Sequence, residues 1–437
     1  MKISVLIPTR NRCDLLRYSL ETCLRVDDDI EIVISDNFSD DSTKDVALSY
    51  GDRRIKYVNT GRRISQRLNF ENAIQNSTGD YVFIIGDDDA VLSSPFRYFS
   101  DLLFRERPNI LSTPSLFYRW PADSARGSGR IKINKRQVYG KELYIGADAC
   151  LQGIKKFTSQ KVDIHPKLYH GFVSRLFLES MKTSTGHYLA SGQVDLYFAT
   201  ASLAFTSRYL TVCHPASILA MGPSSGGVSV ANQHSCHSNK NLSADIVAEE
   251  AATDPVKDPI DGKMPVLRMY LLNGVEQANR FAFDGNLNLD YEIYLTKILD
   301  ELQCVPQKEF SKGIEQLRTF ILEKSRFDLL ALLDSCKPEY PKEGQVGIRE
   351  LPKISSYVTC NKIVLDLTML QHGNVLAAAQ AADYILGPIT ATMPAHINGW
   401  LGALMRALMH IVRGGVGRRP AWGALGTTKF EEAVRRD

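Results

Sequence analysis

The sequence has no C-x-x-C pair: its eight cysteines, Cys13, Cys23, Cys150, Cys213, Cys236, Cys304, Cys336 and Cys360, are scattered. In a chain of 437 residues that spacing excludes a disulfide framework and reads as reduced, cytosolic thiols. Also missing is any run of the ~20 uninterrupted apolar residues that a membrane span needs. The nearest stretch, "WLGALMRALMHIV", is broken by Arg406. The opening "MKISVLIPTRNR" carries an apolar run too short for a secretory signal. The expectation is a cytosolic chain that touches a membrane surface at most. Charge of one sign is lacking as well: 52 basic against 49 acidic side chains leave +3, without the basic surplus of a dedicated nucleic-acid binder. What is present is an ordinary globular composition, 44% hydrophobic, long enough for roughly two or three domains.

The first hundred residues alternate between two periodicities. "KISVLIP", "IEIVIS", "RIKYVN" and "YVFII" are short apolar strands. Between them, "CDLLRYSLETCLRV", "DDSTKDVALSY" and "SQRLNFENAIQNST" carry helical spacing, the second opened by residues suited to a helix N-terminus. Such alternation predicts a parallel sheet covered by helices on both faces, whose strands read as continuous apolar runs. Further on, "PFRYFSDLLFRE" reads as a helix and "NILSTPSLFY" as a strand. "YHGFVSRLFLESMKTSTGHYLASGQVDLYFATASLAFTS" reads as helix, loop, helix, and "YLTVCHPASILAMG" as a returning strand. Residues 223–265 lose periodicity and gain Ser, Asn, Gly, Asp and Pro, as a long loop or linker does. The pattern beyond is mostly helical.

Ligands gather at the carboxyl ends of strands in such sheets, and three polar clusters fall there: "PTRNR", "SDNFSDD" and "GDDD". Asp87, Asp88 and Asp89 repel one another unless something positive belongs beside them. Hard carboxylate oxygens suit Mg²⁺ or Mn²⁺, which commonly take one or two carboxylates and complete their shell with water and phosphate. The same run also fits an exposed acidic turn before a helix, with Ser93 or Ser94 as its cap. Asp36 directly follows a buried strand, where it can accept from a sugar or base edge or close an Asx turn. Arg10 and Arg12 add cationic groups to the same edge.

Together, "VLIPTRNRCDLLRYSLETCL", "EIVISDNFSDDST" and "STGDYVFIIGDDDAVL" resemble the nucleotide-binding half of glycosyltransferase family 2, tightly over residues 1–100 and loosely over 100–220. The resemblance implies an α/β fold of GT-A type, a Rossmann-like sheet that binds nucleotide-diphospho-sugars, here with a C-terminal helical domain. It implies an inverting sugar transfer to a glycan or lipid-linked acceptor, assisted by a divalent cation. Asp36 would hold the base, with Pro8, Thr9 and Arg12 shaping that pocket. Asn69 would lie on the donor side with Asn72 as its rival, and Asp87 and Asp88 near the diphosphate. Asp88 and Asp89 would bracket the metal. Many members carry an acid where this chain has Gly86.

An inverting transferase needs a base for the acceptor hydroxyl. "SGQVDLYFATASL" offers Asp195, either as that base or as a helix cap, although Val194 stands where members have Glu. His170 and Arg175, in "YHGFVSR", are candidates for acceptor or diphosphate contact, or the start of a helix. His234, Cys236 and His237 form an H-x-C-H cluster with no fourth zinc ligand nearby. Near the end, Leu401, Leu404, Met405, Leu408, Ile411 and Val412 share one helical face. Arg406, His410 and Arg413 lie off it, with Arg418 and Arg419 beyond and Trp400 as an interfacial aromatic. That face suits either the protein's own core or a membrane surface. The expected organisation is a transferase domain over 1–222, a linker over 223–265 and a mainly helical domain over 266–437. Two rivals are a nucleotidyltransferase, for which "PTRNR" lacks the phosphate-loop glycines, and a non-catalytic nucleotide-binding scaffold.

Overall fold

The computed structural model describes residues 1–121, 129–157, 165–222, 254–338, 356–367, 373–387 and 396–412. His234, Cys236, His237, Arg413, Arg418, Arg419 and most of the expected linker lie outside them. The first part runs β1 (Ile3–Thr9), α1 (Cys13–Leu24), β2 (Ile30–Asp36), α2 (Thr43–Ser49), β3 (Ile55–Asn59), α3 (Gln66–Gln75) and β4 (Tyr81–Ile84). It continues through β5 (Ala90–Val91), α4 (Phe96–Glu106), β6 (Ile110–Ser112), β7 (Ser115–Arg119), β8 (Arg130–Asn134), β9 (Glu142–Gly146) and α5 (Ala147–Lys155). β10 (Gly171–Ser174), α6 (Arg175–Thr185), α7 (Val194–Ala201), β11 (Arg208–Val212) and β12 (Ser217–Met221) complete it. Then come α8 (Leu267–Ala282), α9 (Tyr291–Leu302), α10 (Gln307–Glu323), α11 (Leu330–Ser335), β13 (Tyr357–Thr359), β14 (Lys362–Asp366), α12 (Val375–Leu386) and α13 (His396–Val412).

The main sheet has the order β3-β2-β1-β4-β10-β6-β11-β9, and β1 to β4 are parallel as the alternation requires. Alternate residues of each strand feed opposite faces. Val5, Ile7, Ile32, Ile34 and Phe83 join one apolar cluster with α1 and α4; Leu6, Val33, Val82 and Ile84 join the other with α3, α6 and α7. Pro8 fits because β1 has there outrun β4. Leu6 still accepts from Ile85 N, whereas the missing N–H of Pro8 falls on that same side, past the last pair. Past this point β1 remains paired only with β2.

A second sheet, β13-β14-β8-β7-β12-β5, corrects several expectations. "NILSTPSLFY" and "YLTVCHPASILAMG" are each two strands, broken at Pro114 and at Cys213–Ala216. Each crosses from the first sheet (β6, β11) to the second (β7, β12), and the two halves stay paired in parallel. "YHGFVS" is strand β10 rather than helix, between β4 and β6.

The region beyond 266 is neither wholly helical nor separate from the sheet. β14 pairs with β8, α12 packs in the α1 cluster, and α8 to α11 cover the other face. The tail of the expected linker is tied down as well. Asp254 accepts two bonds (2.8 and 2.6 Å) from the buried Arg67 of α3, and Asp258 accepts from Ser191 at 2.9 Å. Trp400 is buried and donates to Cys360 O at 2.7 Å, so it is no interfacial aromatic. Arg406 caps α12 through Ile385 O and Leu386 O. Leu401, Met405 and Leu408 remain exposed on α13. Among the described residues no helix is long and apolar enough to cross a membrane.

Candidate active site

The sheet's carboxyl edge gathers most of the expected residues. Thr9 at the end of β1 donates through Oγ1 to Asp87 Oδ2 at 2.7 Å. Asn11, in the left-handed region at φ 52°, turns the chain just ahead of α1; its backbone N–H is held by Ser39 Oγ. Arg12 then forks across two aspartates, Nη1 to Asp87 Oδ1 at 2.7 Å and Nη2 to Asp88 Oδ2 at 2.8 Å. The first positive partner of the run is therefore the chain's own guanidinium. Burial pushes the Asp87 carboxyl up; Arg12 opposes that rise and Asp88 adds to it. Burial opposes the charge on Arg12, yet Asp87 and Asp88 hold its pKa above the ordinary value.

Asp89 faces the other way. It is fully buried, and its oxygens accept from Gly86 N (2.8 Å), Ala220 N (2.7 Å) and the Tyr169 hydroxyl, with His170 Nε2 3.3 Å away. With three hydrogen bonds on its oxygens and His170 Nε2 beside them, Asp89 anchors the loop to the segment before β10 and to β12, an engagement that argues against the metal role expected of it. Burial, then Asp89 and Asp88, raise the Tyr169 pKa well above the ordinary value, so its hydroxyl stays a donor. Tyr169 also accounts for Gly86. A Cβ there would lie 2.6 Å from the Tyr169 hydroxyl and 2.9 Å from Asp89 Oδ2, so the acid that many family members carry has no room. Trp120 Nε1 clamps the loop from below, donating to Asp88 O at 3.0 Å.

His170 is buried with φ 62°, its Nδ1 2.8 Å from Ser217 Oγ and its Nε2 beside Asp89. It belongs to the cluster, but beneath it rather than facing an acceptor. Asp195 lies in the first turn of α7, beside its own N–H and that of Leu196, and within electrostatic reach of His170. The crowding of protein atoms around it pushes its carboxyl up, while those N–H groups and His170 oppose the rise. Its side chain is nevertheless exposed to solvent. Gly274 of α8 lets the two helices close: a Cβ there would stand 2.7 Å from Leu196 Cβ.

The remaining expected residues are engaged otherwise. Asp36 ends β2 on the same edge, but it is buried and accepts from Tyr57 OH, Asn59 Nδ2 (3.0 Å) and Ser39 N (3.0 Å). Four lone-pair sites on a carboxylate leave room for at most one base contact. Asn69 accepts from Ser35 Oγ at 2.7 Å and donates to Ser35 O at 3.1 Å, which ties α3 to β2; Asn72 also donates to Ser35, at 2.8 Å. Arg175 is at the wrong end of β4. Its guanidinium donates to Gly79 O (2.7 Å) and Ser77 Oγ (2.5 Å) ahead of the strand, away from the edge that holds the aspartates. Sequence reasoning missed Tyr57, Trp120 and Tyr169. Nothing local marks Tyr169, which meets Asp89 across 80 residues of chain.

Among the described residues no group of three or more His, Cys, Asp or Glu side chains is arranged to hold a metal ion by itself. Asp88, with Asp87 beside it, fits the sparser arrangement in which Mg²⁺ or Mn²⁺ takes one or two carboxylates and completes its shell from a diphosphate.

Residues 4–130 match the family model described as Glycosyl transferase family 2. A GalNAc(5)-diNAcBac-PP-undecaprenol beta-1,3-glucosyltransferase of Campylobacter jejuni is 38% identical over 96 residues, 21% of this chain and 31% of that protein. A validoxylamine A glucosyltransferase of Streptomyces hygroscopicus is 46% identical over 74 residues, 15% of this chain and 18% of its own length. The matched stretch thus spans under a third of either relative. Among solved structures, S. aureus TarS 1-349 in complex with UDP-GlcNAc is 12% identical with a TM-score of 0.43, over 76% of this chain and 90% of that one.

Proposed function

We propose that the protein moves a hexosyl group, with inversion, from a nucleoside-diphosphate sugar to a hydroxyl of a glycan or lipid-linked acceptor. The observation that carries this reading is the meeting of Thr9, Arg12, Asp87 and Asp88 at the sheet's carboxyl edge, with Asp195 within electrostatic reach of His170 beside Asp89, in a segment that matches the family 2 model. The two relatives are named as glucosyltransferases, and one name specifies an undecaprenol-linked acceptor, so a glucosyl donor is the first to test.

In this reading the acceptor oxygen attacks the anomeric carbon from the face opposite the diphosphate. The bond from that carbon to the β-phosphate oxygen breaks, and the electron pair leaves with the diphosphate. The acceptor's proton passes to Asp195, whose raised pKa brings it nearer to that of a working base. Asp36 edges the base pocket. A divalent cation held by Asp88 and Asp87 would neutralise charge developing on the leaving diphosphate. The exposed Leu401, Met405 and Leu408 would rest on the membrane that presents a lipid-linked acceptor.

The test is a panel of nucleotide sugars with Mn²⁺ or Mg²⁺, scored for free nucleoside diphosphate. One donor should be hydrolysed slowly, and chelation or Asp88→Asn should abolish its hydrolysis. Failure of every donor and nucleotide to bind would end the reading.

A further inference from the structure

Arg12 stands where a cation beside the aspartates would be. Arg12 bridges Asp87 and Asp88 with both terminal nitrogens, and its side chain keeps 24% exposure against 4% and 7% for the two carboxylates. The guanidinium therefore lies between them and solvent, and a cation coming from solvent meets Arg12 first. The arrangement is also incomplete. Arg12 Nε is buried without a hydrogen-bond partner, and two carboxylates share this single guanidinium. Arginine's planar fork suits a diphosphate as well as a carboxylate pair, so the side chain has a second partner of equal geometry once a donor arrives.

We propose that Arg12 is an exchangeable counter-ion. It holds Asp87 and Asp88 in the free protein, gives them up to a divalent cation, and turns onto the diphosphate of the donor that enters with that cation. This rests on the metal-assisted transfer proposed above and adds an order to it. The cation alone competes with Arg12 and binds weakly, whereas cation and nucleoside diphosphate together bind well. Donor capture and metal capture are coupled through one side chain, and Thr9 keeps Asp87 in place during the exchange.

The experiment measures Mn²⁺ binding to the full chain by electron paramagnetic resonance, then UDP binding by calorimetry at saturating Mn²⁺. It compares wild type, Arg12→Met, Arg12→Lys and Asp88→Asn. Removing a competing charge should let Arg12→Met bind Mn²⁺ alone about tenfold more tightly than wild type, and bind UDP about tenfold more weakly. Arg12→Lys keeps the charge without the fork and guards against a folding defect in the methionine variant. It should leave Mn²⁺ affinity near wild type while still weakening UDP. Equal or weaker Mn²⁺ binding by a folded Arg12→Met would overturn the exchange. So would the absence of Mn²⁺ binding from every chain with UDP binding intact, an outcome that spares the donor reading. Failure of wild type to bind UDP would take down both.

Discussion

The two ends of the parallel sheet treat carboxylates in opposite ways. Where the strands begin, Glu31 accepts from Ser4 Oγ at 2.5 Å, Gly79 N at 3.0 Å, Thr78 and Lys2. Burial works against its charge, but those donors outweigh it and hold Glu31 down to about 2. Where the strands end, Asp87 is pushed up, because burial and two neighbouring carboxylates exceed what Arg12 and Thr9 supply. One edge is electrostatically settled; the other carries a deficit of positive charge. Such a deficit is what a site for a cation and an anionic leaving group requires. Asp89 sharpens the contrast: adjacent to Asp88, it is as settled as Glu31, and its work is to hold Tyr169 and β12 in place.

The largest expected effect is on the unsettled edge. Asp195→Asn should lower turnover by about 10²–10⁴-fold while nucleoside diphosphate binding, read by calorimetry, stays at wild-type strength. An equal loss of binding would make Asp195 a structural cap. Next, Asp89→Asn replaces an acceptor ringed by donors and should cost about 3 kcal/mol in urea unfolding. Asp88→Asn, whose partner Arg12 is partly in water, should cost less than half of that; reversed magnitudes would break the division within the triplet.

Glu31→Gln should cost on the order of 1–3 kcal/mol near neutral pH. The folded pKa of Glu31 is depressed from an ordinary 4.5 to about 2, so its contribution is complete above 4.5 and fades as pH falls toward 2. The wild-type advantage should therefore shrink across that window, and a constant difference would contradict the assignment. The smallest effect is Gly274→Ala, about 1–2 kcal/mol of overpacking against Leu196. Its signature is a fall in turnover with UDP affinity retained, since α7 carries Asp195.

The parallel half was legible because local pattern decides it. Apolar strands, helical spacing and polar strand ends all lie within about 100 residues of one another, and the family match over 4–130 coincides with them. The second sheet was not legible. Its strands are short, two of them continue strands of the first sheet, and β14 reaches β8 from far along the chain. The same distinction divides the site. Thr9, Arg12, Asp87 and Asp88 stand at strand ends that periodicity predicts. The engagement of Tyr169 with Asp89 depends on a contact across 80 residues that no local signal announces. Arg175 shows the converse error: its motif resembled a substrate contact, while the turn before β4 needed its donors.

The most direct test of the two-edge account is calorimetric titration of UDP with Mn²⁺ into wild type, Asp88→Asn and Glu31→Gln, each shown to be folded. The account predicts tight binding to wild type and Glu31→Gln, and a loss of at least about tenfold in Asp88→Asn. Equal binding by Asp88→Asn, or a loss confined to Glu31→Gln, would contradict it.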